Sequence, residues 1–274
     1  MKKFIALLLC IGICFTLYLG LDKGTVTALA KENSPSINIT DKEAESFFWA
    51  LLPDKKEWPK PILVFWKVTH MKDNTMEKVG KDNWVKLKDI APTLRTALIS
   101  IEDRRFYEHS GVDIDSILRA ILVNIQADGV VQGGSTLTQQ LVKNTVLDSE
   151  QTIERKIYEA LLALIVESEN SKDDILEMYL NTTYFGAGAT GIKEAADTYF
   201  GVLPFQLSLP ESATIAGLPY APSSLNPYEN KEGCKKRRDL VLAQMAKNGV
   251  ITMDEAKAAA EEPLTLSGKV GHSI

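Results

Sequence analysis

The stretch Glu102-Asp103-Arg104-Arg105-Phe106-Tyr107-Glu108-His109-Ser110-Gly111-Val112-Asp113 decides how this chain is read. Its twelve residues hold four carboxylates, two arginines and one of only three histidines. Leu94, Leu98 and Ile101 precede it at helical spacing, and Ile114, Ile117, Leu118, Ile121, Leu122 and Ile125 follow it at the same spacing. The stretch therefore joins two helices. A charged connection of this kind, taken alone, is a solvated loop with local ion pairs. Packing alone, however, does not require so many ionisable groups between two apolar stripes.

Working outward, helical signals dominate from Asp89 to the end of the chain. A helix is expected over Ile90 to Ile101, with Pro92 in its first turn, where proline is tolerated. The stripe over Ile114 to Ile125 reads first as a core face, with partial immersion in lipid as the alternative. After a glycine-rich loop at 129–136, Ser135 or Thr136 is placed to cap a helix over Leu137 to Asn144. On that helix Leu137 and Leu141 give an inner side, while Gln139, Gln140, Lys143 and Asn144 bring amides and an ammonium together. Neutral amides suit sugar hydroxyls, and an ammonium suits an anion. A polar, solvated face is the competing reading.

The next helix, Thr152 to Glu169, is expected to bury Ile153, Ile157, Leu161, Leu164 and Ile165. Its Arg155, Lys156 and Glu159 form either a surface ion-pair ladder or a carboxylate held by two cations that also face an anionic substrate. Further helices are expected over Asp173–Asn181, Ile192–Phe200, Pro210–Gly217, Lys231–Lys247 and Met253–Glu261, with a glycine-bearing loop over 181–191. That loop is not a phosphate-binding P-loop, because no Gly-Lys-Ser/Thr follows.

Toward the N-terminus, Phe4 to Leu21 is an uncharged apolar run of 18 residues. At about 1.5 Å per residue it nearly spans a ~30 Å hydrocarbon core. Lys2 and Lys3 before it place the bulk of the chain outside the cytoplasm. An uncleaved anchor is favoured over a signal peptide cut after Ala28-Leu29-Ala30. Lys31 to Asp41 reads as a linker and Glu43 to Leu52 as a short amphipathic helix, followed by breaks at Pro53, Pro59 and Pro61. Ile62 to Thr69 is β-branched and aromatic and reads as a strand, Asp73-Asn74 as a turn, and Trp84 to Leu87 as a second strand.

The composition, 45% hydrophobic and 24% charged over 274 residues, is globular. A net charge of −5 argues against a general nucleic-acid binder. Cys10, Cys14 and Cys234 form neither a disulfide framework nor a zinc pattern.

Five blocks in order then resemble a known family. They are the opening stretch, Gly134 to Asn144, Arg155-Lys156-x-x-Glu159, Ile175-Leu176-Glu177-Met178-Tyr179-Leu180-Asn181, and Arg237-Arg238-Asp239-Leu240-Val241-Leu242. Together they are similar to the motifs of the family 51 glycosyltransferases, the bacterial peptidoglycan glycosyltransferases, over roughly Leu87 to Ala260. The resemblance implies a mainly α, lysozyme-like fold with head and jaw lobes, preceded by a single transmembrane helix. The organisation it implies is a cytoplasmic stub (1–3), an anchor (4–21), a linker and N-terminal segment (22–86), a glycosyltransferase domain (87–262, jaw about 112–131) and a tail (263–274). The chain looks like the monofunctional form.

The implied reaction is polymerisation of lipid II into glycan strands, with inversion at the anomeric carbon and release of undecaprenyl pyrophosphate. Glu102 matches the base and Glu159 the second carboxylate. Lys143, Arg155 and Lys156 match the basic positions; Ser135, Gln139, Gln140 and Asn144 would position substrate. Asp103 and Phe106 are counted with the substrate-binding set, chiefly as residues that shape the opening stretch, and Glu108 and His109 are read as structural. The implied partners are lipid II, the growing strand, the membrane and other cell-wall synthesis proteins, with no nucleic acid. No cofactor is required, and divalent-metal stimulation is left open because no ligand cluster of metal-site spacing occurs. Where the family often has Arg before Thr, this chain has Gln151-Thr152, so one pyrophosphate cation is absent or supplied elsewhere. The rival readings are a lysozyme-like hydrolase or lytic transglycosylase, and a non-catalytic scaffold for wall synthesis.

Overall fold

The computed structural model describes residues 60–127, 129, 133–147 and 152–268. The chain forms two compact units, Met1–Thr69 and His70–Ile274. The expected anchor at 4–21, the linker, the helix at 43–52 and Gln151 all lie outside the described residues. Among the described residues no helix is long and apolar enough to cross a membrane.

In the first unit one element is described, helix α1, Lys60–Thr69. This corrects the strand expected at 62–69. The run opens with five consecutive apolar residues, 62–66, and so short an apolar run does not separate strand from helix by periodicity. Pro61 is compatible with a helix start, and the Thr69 hydroxyl donates to the Phe65 carbonyl one turn back (3.1 Å).

The second unit opens with α2 (Met71–Val79), so the turn expected at Asp73-Asn74 is helical. The strand expected at 84–87 is also absent. Its backbone is satisfied by side chains of a later helix, α7 (Lys172–Thr182). The Asn181 amide donates to the Val85 carbonyl and its oxygen accepts from the Val85 amide, both at 2.8 Å. Glu177 accepts from the Trp84 indole (2.9 Å) and from the Leu87 amide (2.7 Å). An extended segment paired in this way needs no partner strand.

Between them come α3 (Pro92–Glu102), α4 (Ile114–Gln126), α5 (Leu137–Thr145) and α6 (Ile153–Glu169). After α7 a two-stranded antiparallel hairpin, β1 (Tyr184–Gly186) with β2 (Ala189–Thr190), replaces the expected loop. The unit closes with α8 (Ile192–Phe200), α9 (Leu209–Gly217), α10 (Lys231–Lys247) and α11 (Met253–Glu261). The expected mainly helical class holds.

Two packed groups make the core. Helix α9 is buried from Ser212 through Gly217 and packs against α3 and α10. Its small residues allow close approach, and the Ser212 hydroxyl meets that of Thr93 at 2.8 Å. Helices α5, α6 and α7 form the second group, with Leu137, Leu141, Val166, Ile175, Leu176 and Tyr179 fully buried.

Two expected core stripes are corrected. On α4 the apolar face is on the outside: Ile114 is 67% exposed, Leu122 62% and Ile125 72%, and Ala120 is the buried residue. On α6 Ile157 and Leu164 are exposed, while Glu159, Leu162, Ala163 and Val166 are buried. The buried face is thus the i, i+3, i+4, i+7 set that starts at a glutamate, which a hydrophobicity pattern passes over.

Candidate active site

The opening stretch folds as a series of turns pinned at three points. Phe106 is fully buried, with the Lys172 ammonium 4.6 Å from its ring centre. Gly111 has φ +87°, and a Cβ there would lie 2.7 Å from the Ala163 carbonyl oxygen, so only glycine fits. Asp113 caps α4, accepting from the Ser116 amide (3.1 Å) and hydroxyl (2.5 Å). Burial opposes its ionisation, but the Ser116 donors, Arg105 and His109 outweigh this and hold its carboxyl below the ordinary value.

Arg105 is occupied away from Glu102: it pairs with Glu108 (3.0 Å), Asp113 (3.5 Å) and Asp115. Asp103 is buried, and both its oxygens lie 3.0 Å from His109 Nε2. Its Oδ2 also accepts the Leu137 amide at 3.0 Å, at the first turn of α5. Thr136 caps that helix through a capping box with Gln139 and donates its hydroxyl to the Gly111 carbonyl (2.7 Å). The charged stretch and the glutamine-lysine helix are therefore one assembly.

That assembly lines a cavity of about 960 Å³. Glu102, Asp103, Ser135, Gln140, Lys143 and Asn144 all border it. Glu102 lies at the C-terminal end of α3. Its Oε2 accepts from the Gln140 amide nitrogen at 2.8 Å, and its Oε1 is 3.4 Å from the Arg237 guanidinium. Burial pushes the Glu102 carboxyl above the ordinary carboxylate value; Gln140 and Arg237 act against that, and Asp103 adds to it.

The remaining expected residues lie elsewhere. Gln139 is buried and its side-chain oxygen accepts from the Thr136 amide, capping α5, and it does not border the cavity. Phe106 lies in the core. Arg155, Lys156 and Glu159 form a cluster of their own on α6, where the fully buried Glu159 carboxylate pairs with Arg155 (3.4 Å) and with Lys156. None of these three borders the cavity.

The structure adds residues that the sequence reading did not single out. Arg237 donates through Nε to the Gly217 carbonyl (3.2 Å), and its guanidinium lies 4.4 Å from the Tyr220 ring centre. A Cβ at Gly217 would meet Arg237 Cγ at 2.8 Å, so the glycine makes room for this side chain. The neighbouring Arg238 is fully buried and donates to the Ala260 (2.5 Å) and Glu262 (2.9 Å) carbonyls, closing the end of α11. Of the adjacent arginines, one serves the cavity and the other the fold. Arg104, Arg119 and Lys247 bring further positive charge to the cavity wall, and Tyr179 stands behind Gln140. Arg237 and Tyr179 both sit inside blocks already quoted from the sequence, so block membership was the available signal. For Arg119, on an apolar helix, there was none.

The arrangement offers one carboxylate held near, but not tightly bound to, a cation, in a cavity with several other cations. That suits proton removal from a hydroxyl next to an anionic leaving group. Among the described residues no group of three or more His, Cys, Asp and Glu side chains could hold a metal ion.

Residues 70–246 match the model of the family described as transglycosylase. The chain belongs to the transglycosylase family. It is 42% identical over 225 residues to penicillin-binding protein 1A of Aquifex aeolicus (strain VF5), covering 79% of this chain and 31% of that protein. Penicillin-binding protein 1A of Rickettsia bellii (strain RML369-C) is 44% identical over 186 residues, covering 67% and 24%. That of Neisseria flavescens is 45% identical over 181 residues, covering 66% and 23%. The transglycosylase thus spans between about a quarter and a third of the length of these relatives. The family agrees with the resemblance drawn from the five sequence blocks.

Proposed function

We propose that this chain is a membrane-associated peptidoglycan glycosyltransferase that polymerises lipid II, with inversion at the anomeric carbon and release of undecaprenyl pyrophosphate. The observation that carries the proposal is the half-buried Glu102 carboxylate on the wall of a large cavity rich in cationic side chains, held by one amide and a more distant arginine. Glu102 takes the proton of the acceptor sugar hydroxyl as it attacks. A raised carboxyl value suits this role, because a base works best when its affinity for a proton is near that required at the operating pH.

Lys143, with Arg119 and Arg104 on the same wall, offers positive charge to the departing pyrophosphate. Ser135, Gln140 and Asn144 offer neutral donors and acceptors to sugar and amide groups. Glu159, Arg155 and Lys156 form a second cluster; the family resemblance alone assigns its carboxylate to the donor's reacting centre, since Glu159 is fully buried and the three do not border the cavity. The lysozyme-like description, with a jaw around α4, belongs to the same proposal. The outward apolar face of α4 (Ile114, Leu118, Ile121, Leu122 and Ile125) supports contact with lipid, where a membrane-borne substrate would be met.

The test is incubation of the purified full chain with labelled lipid II and, separately, with finished cell wall. Growth of glycan from lipid II with no shortening of finished wall is expected. Release of shortened fragments from finished wall, without polymer from lipid II, would instead establish a hydrolase or lytic enzyme.

A further inference from the structure

The fully buried Tyr179 on α7 has its hydroxyl 3.0 Å from Gln140 Oε1, and Gln140 Nε2 is 2.8 Å from Glu102 Oε2. The three groups form a chain that runs from the core to the cavity wall. An amide has two ends of opposite character. The carboxylate only accepts, so it takes the nitrogen end of the amide; the tyrosine hydroxyl, donating into the oxygen end, anchors the far side of the same group.

We propose that Tyr179 is a positioning residue for the reaction: it anchors the oxygen end of the Gln140 amide and so holds in place the hydrogen bond that Glu102 keeps while serving as base. This rests on the reading of Glu102 as the base. Burial, followed by the charge of Glu102, pushes the Tyr179 hydroxyl well above its ordinary value. It therefore stays protonated, and a donor, over the whole range in which Glu102 titrates. The groups that act directly on Glu102 are Gln140 from α5, Arg237 from α10 and the neighbouring Asp103. Of these, Gln140 makes the short bond, and Tyr179 is the partner at its other end.

The sign of the effect follows. With Tyr179→Phe the Gln140 amide loses its anchor and its donation to Glu102 weakens. The carboxylate then holds its proton more firmly, and the acid limb of kcat against pH moves to higher pH. Loss of one neutral hydrogen bond predicts a fall in kcat of about threefold to tenfold at neutral pH, with KM for lipid II unchanged. In a Gln140→Ala background the same tyrosine change has almost no further effect, because the link is already cut.

The experiment measures initial rates of lipid II polymerisation from pH 5 to 9 for the full chain, Tyr179→Phe, Gln140→Ala and the double variant. An alkaline shift of the acid limb for Tyr179→Phe, together with non-additive effects, is expected. An acid limb that coincides with the parent's, or effects that add fully in the double variant, overturns the proposal and leaves Tyr179 a packing residue. If Tyr179→Phe does not fold, 3-fluorotyrosine placed at position 179 provides the test. As a stronger donor it moves the acid limb to lower pH, and no movement overturns the proposal equally. Glu102→Gln is assayed alongside: sustained polymerisation by that variant removes the base reading itself, whereas an inactive Glu102→Gln with an unmoved Tyr179→Phe limb removes only the role of Tyr179.

Discussion

Replacing Asp103 by Asn exchanges one oxygen for an NH₂ group inside a closed set of hydrogen bonds. Both carboxylate oxygens lie 3.0 Å from His109 Nε2, and one also accepts the Leu137 amide. His109 Nδ1 is buried and makes no hydrogen bond of its own. An asparagine can turn its oxygen to the Leu137 amide, but its NH₂ then meets the histidine nitrogen. The imidazole can accept there only by moving its proton to Nδ1, where a buried N–H would be left without a partner. The opposite rotamer sets NH₂ against the backbone N–H. In either case one buried donor is lost to the network, which costs about 1.5–3 kcal/mol for a bond to a charged group. For a unit of about 200 residues each kcal/mol lowers Tm by roughly 2–4 °C, so a drop of about 3–12 °C is expected.

The functional effect should be smaller than the thermal one suggests. Leu137 begins the helix that carries Gln140, Lys143 and Asn144, so loosening its first turn shifts these side chains without removing a reacting group. Polymerisation of lipid II, measured well below the variant's Tm, should fall by no more than about tenfold. The discriminating result is the pair of measurements. If Asp103→Asn keeps the parent's Tm within about a degree yet loses activity a hundredfold or more, Asp103 acts on substrate and the scaffold reasoning fails.

Glu102→Gln should lower kcat by about 10²–10⁴-fold, the range for loss of a general base. Because burial raises the folded-state value of Glu102 above the usual 4.5, its contribution to stability is present at acid pH and lost as pH rises from there through the raised value; thermal unfolding should show Glu102→Gln gaining on the parent over that rise. Asp113→Ala should cost about 1 kcal/mol as a lost helix cap. The folded value of Asp113 lies below the usual 3.8, so the gap from the parent should persist at neutral pH and close only as acid titration passes that lowered value. Ile121→Ser with Leu122→Ser should leave the folding free energy within about 0.5 kcal/mol, since both side chains are already exposed, while slowing polymerisation of lipid II held in vesicles. A loss of several degrees in Tm would show that they are packed.

What the sequence revealed, and what it hid, divides along physical lines. The bounds of some helices could be read to within a residue or two, as at Ile192–Phe200, Lys231–Lys247 and Met253–Glu261. The direction of an apolar stripe could not. On α4 the stripe was visible but not its outward facing, because periodicity gives the face and not what covers it. On α6 the buried face begins with Glu159, whose charge is met by Arg155 and Lys156, so polarity misled where pairing decided. At Trp84–Leu87 an extended segment looked like a strand because its real partners, Glu177 and Asn181, are distant side chains. Within the site, Glu102, Gln140 and Lys143 could be found from their blocks. Arg237 needed the structure, since only the fold shows which of two adjacent arginines reaches Glu102.

Glu102 and Asp103 are neighbours with opposite surroundings, and the difference bears on the base role proposed for Glu102 beside an arginine. Each carboxylate oxygen can accept about two hydrogen bonds. Asp103 spends its oxygens on His109 and the Leu137 amide. Glu102 has one short bond, to Gln140, and an arginine at 3.4 Å. A guanidinium closed onto Glu102 in a bidentate pair would favour the carboxylate so strongly that it would be a poor proton acceptor. Arg237 is kept from this by its other ties. Its Nε bonds to the Gly217 carbonyl, and its plane lies over Tyr220. Burial meanwhile pulls the Glu102 carboxyl upward. The two tendencies oppose each other at one group, and the net result is a carboxyl raised above its ordinary value. Gly217 is therefore part of this arrangement, because a side chain at that position would displace the Arg237 stem and alter its separation from Glu102.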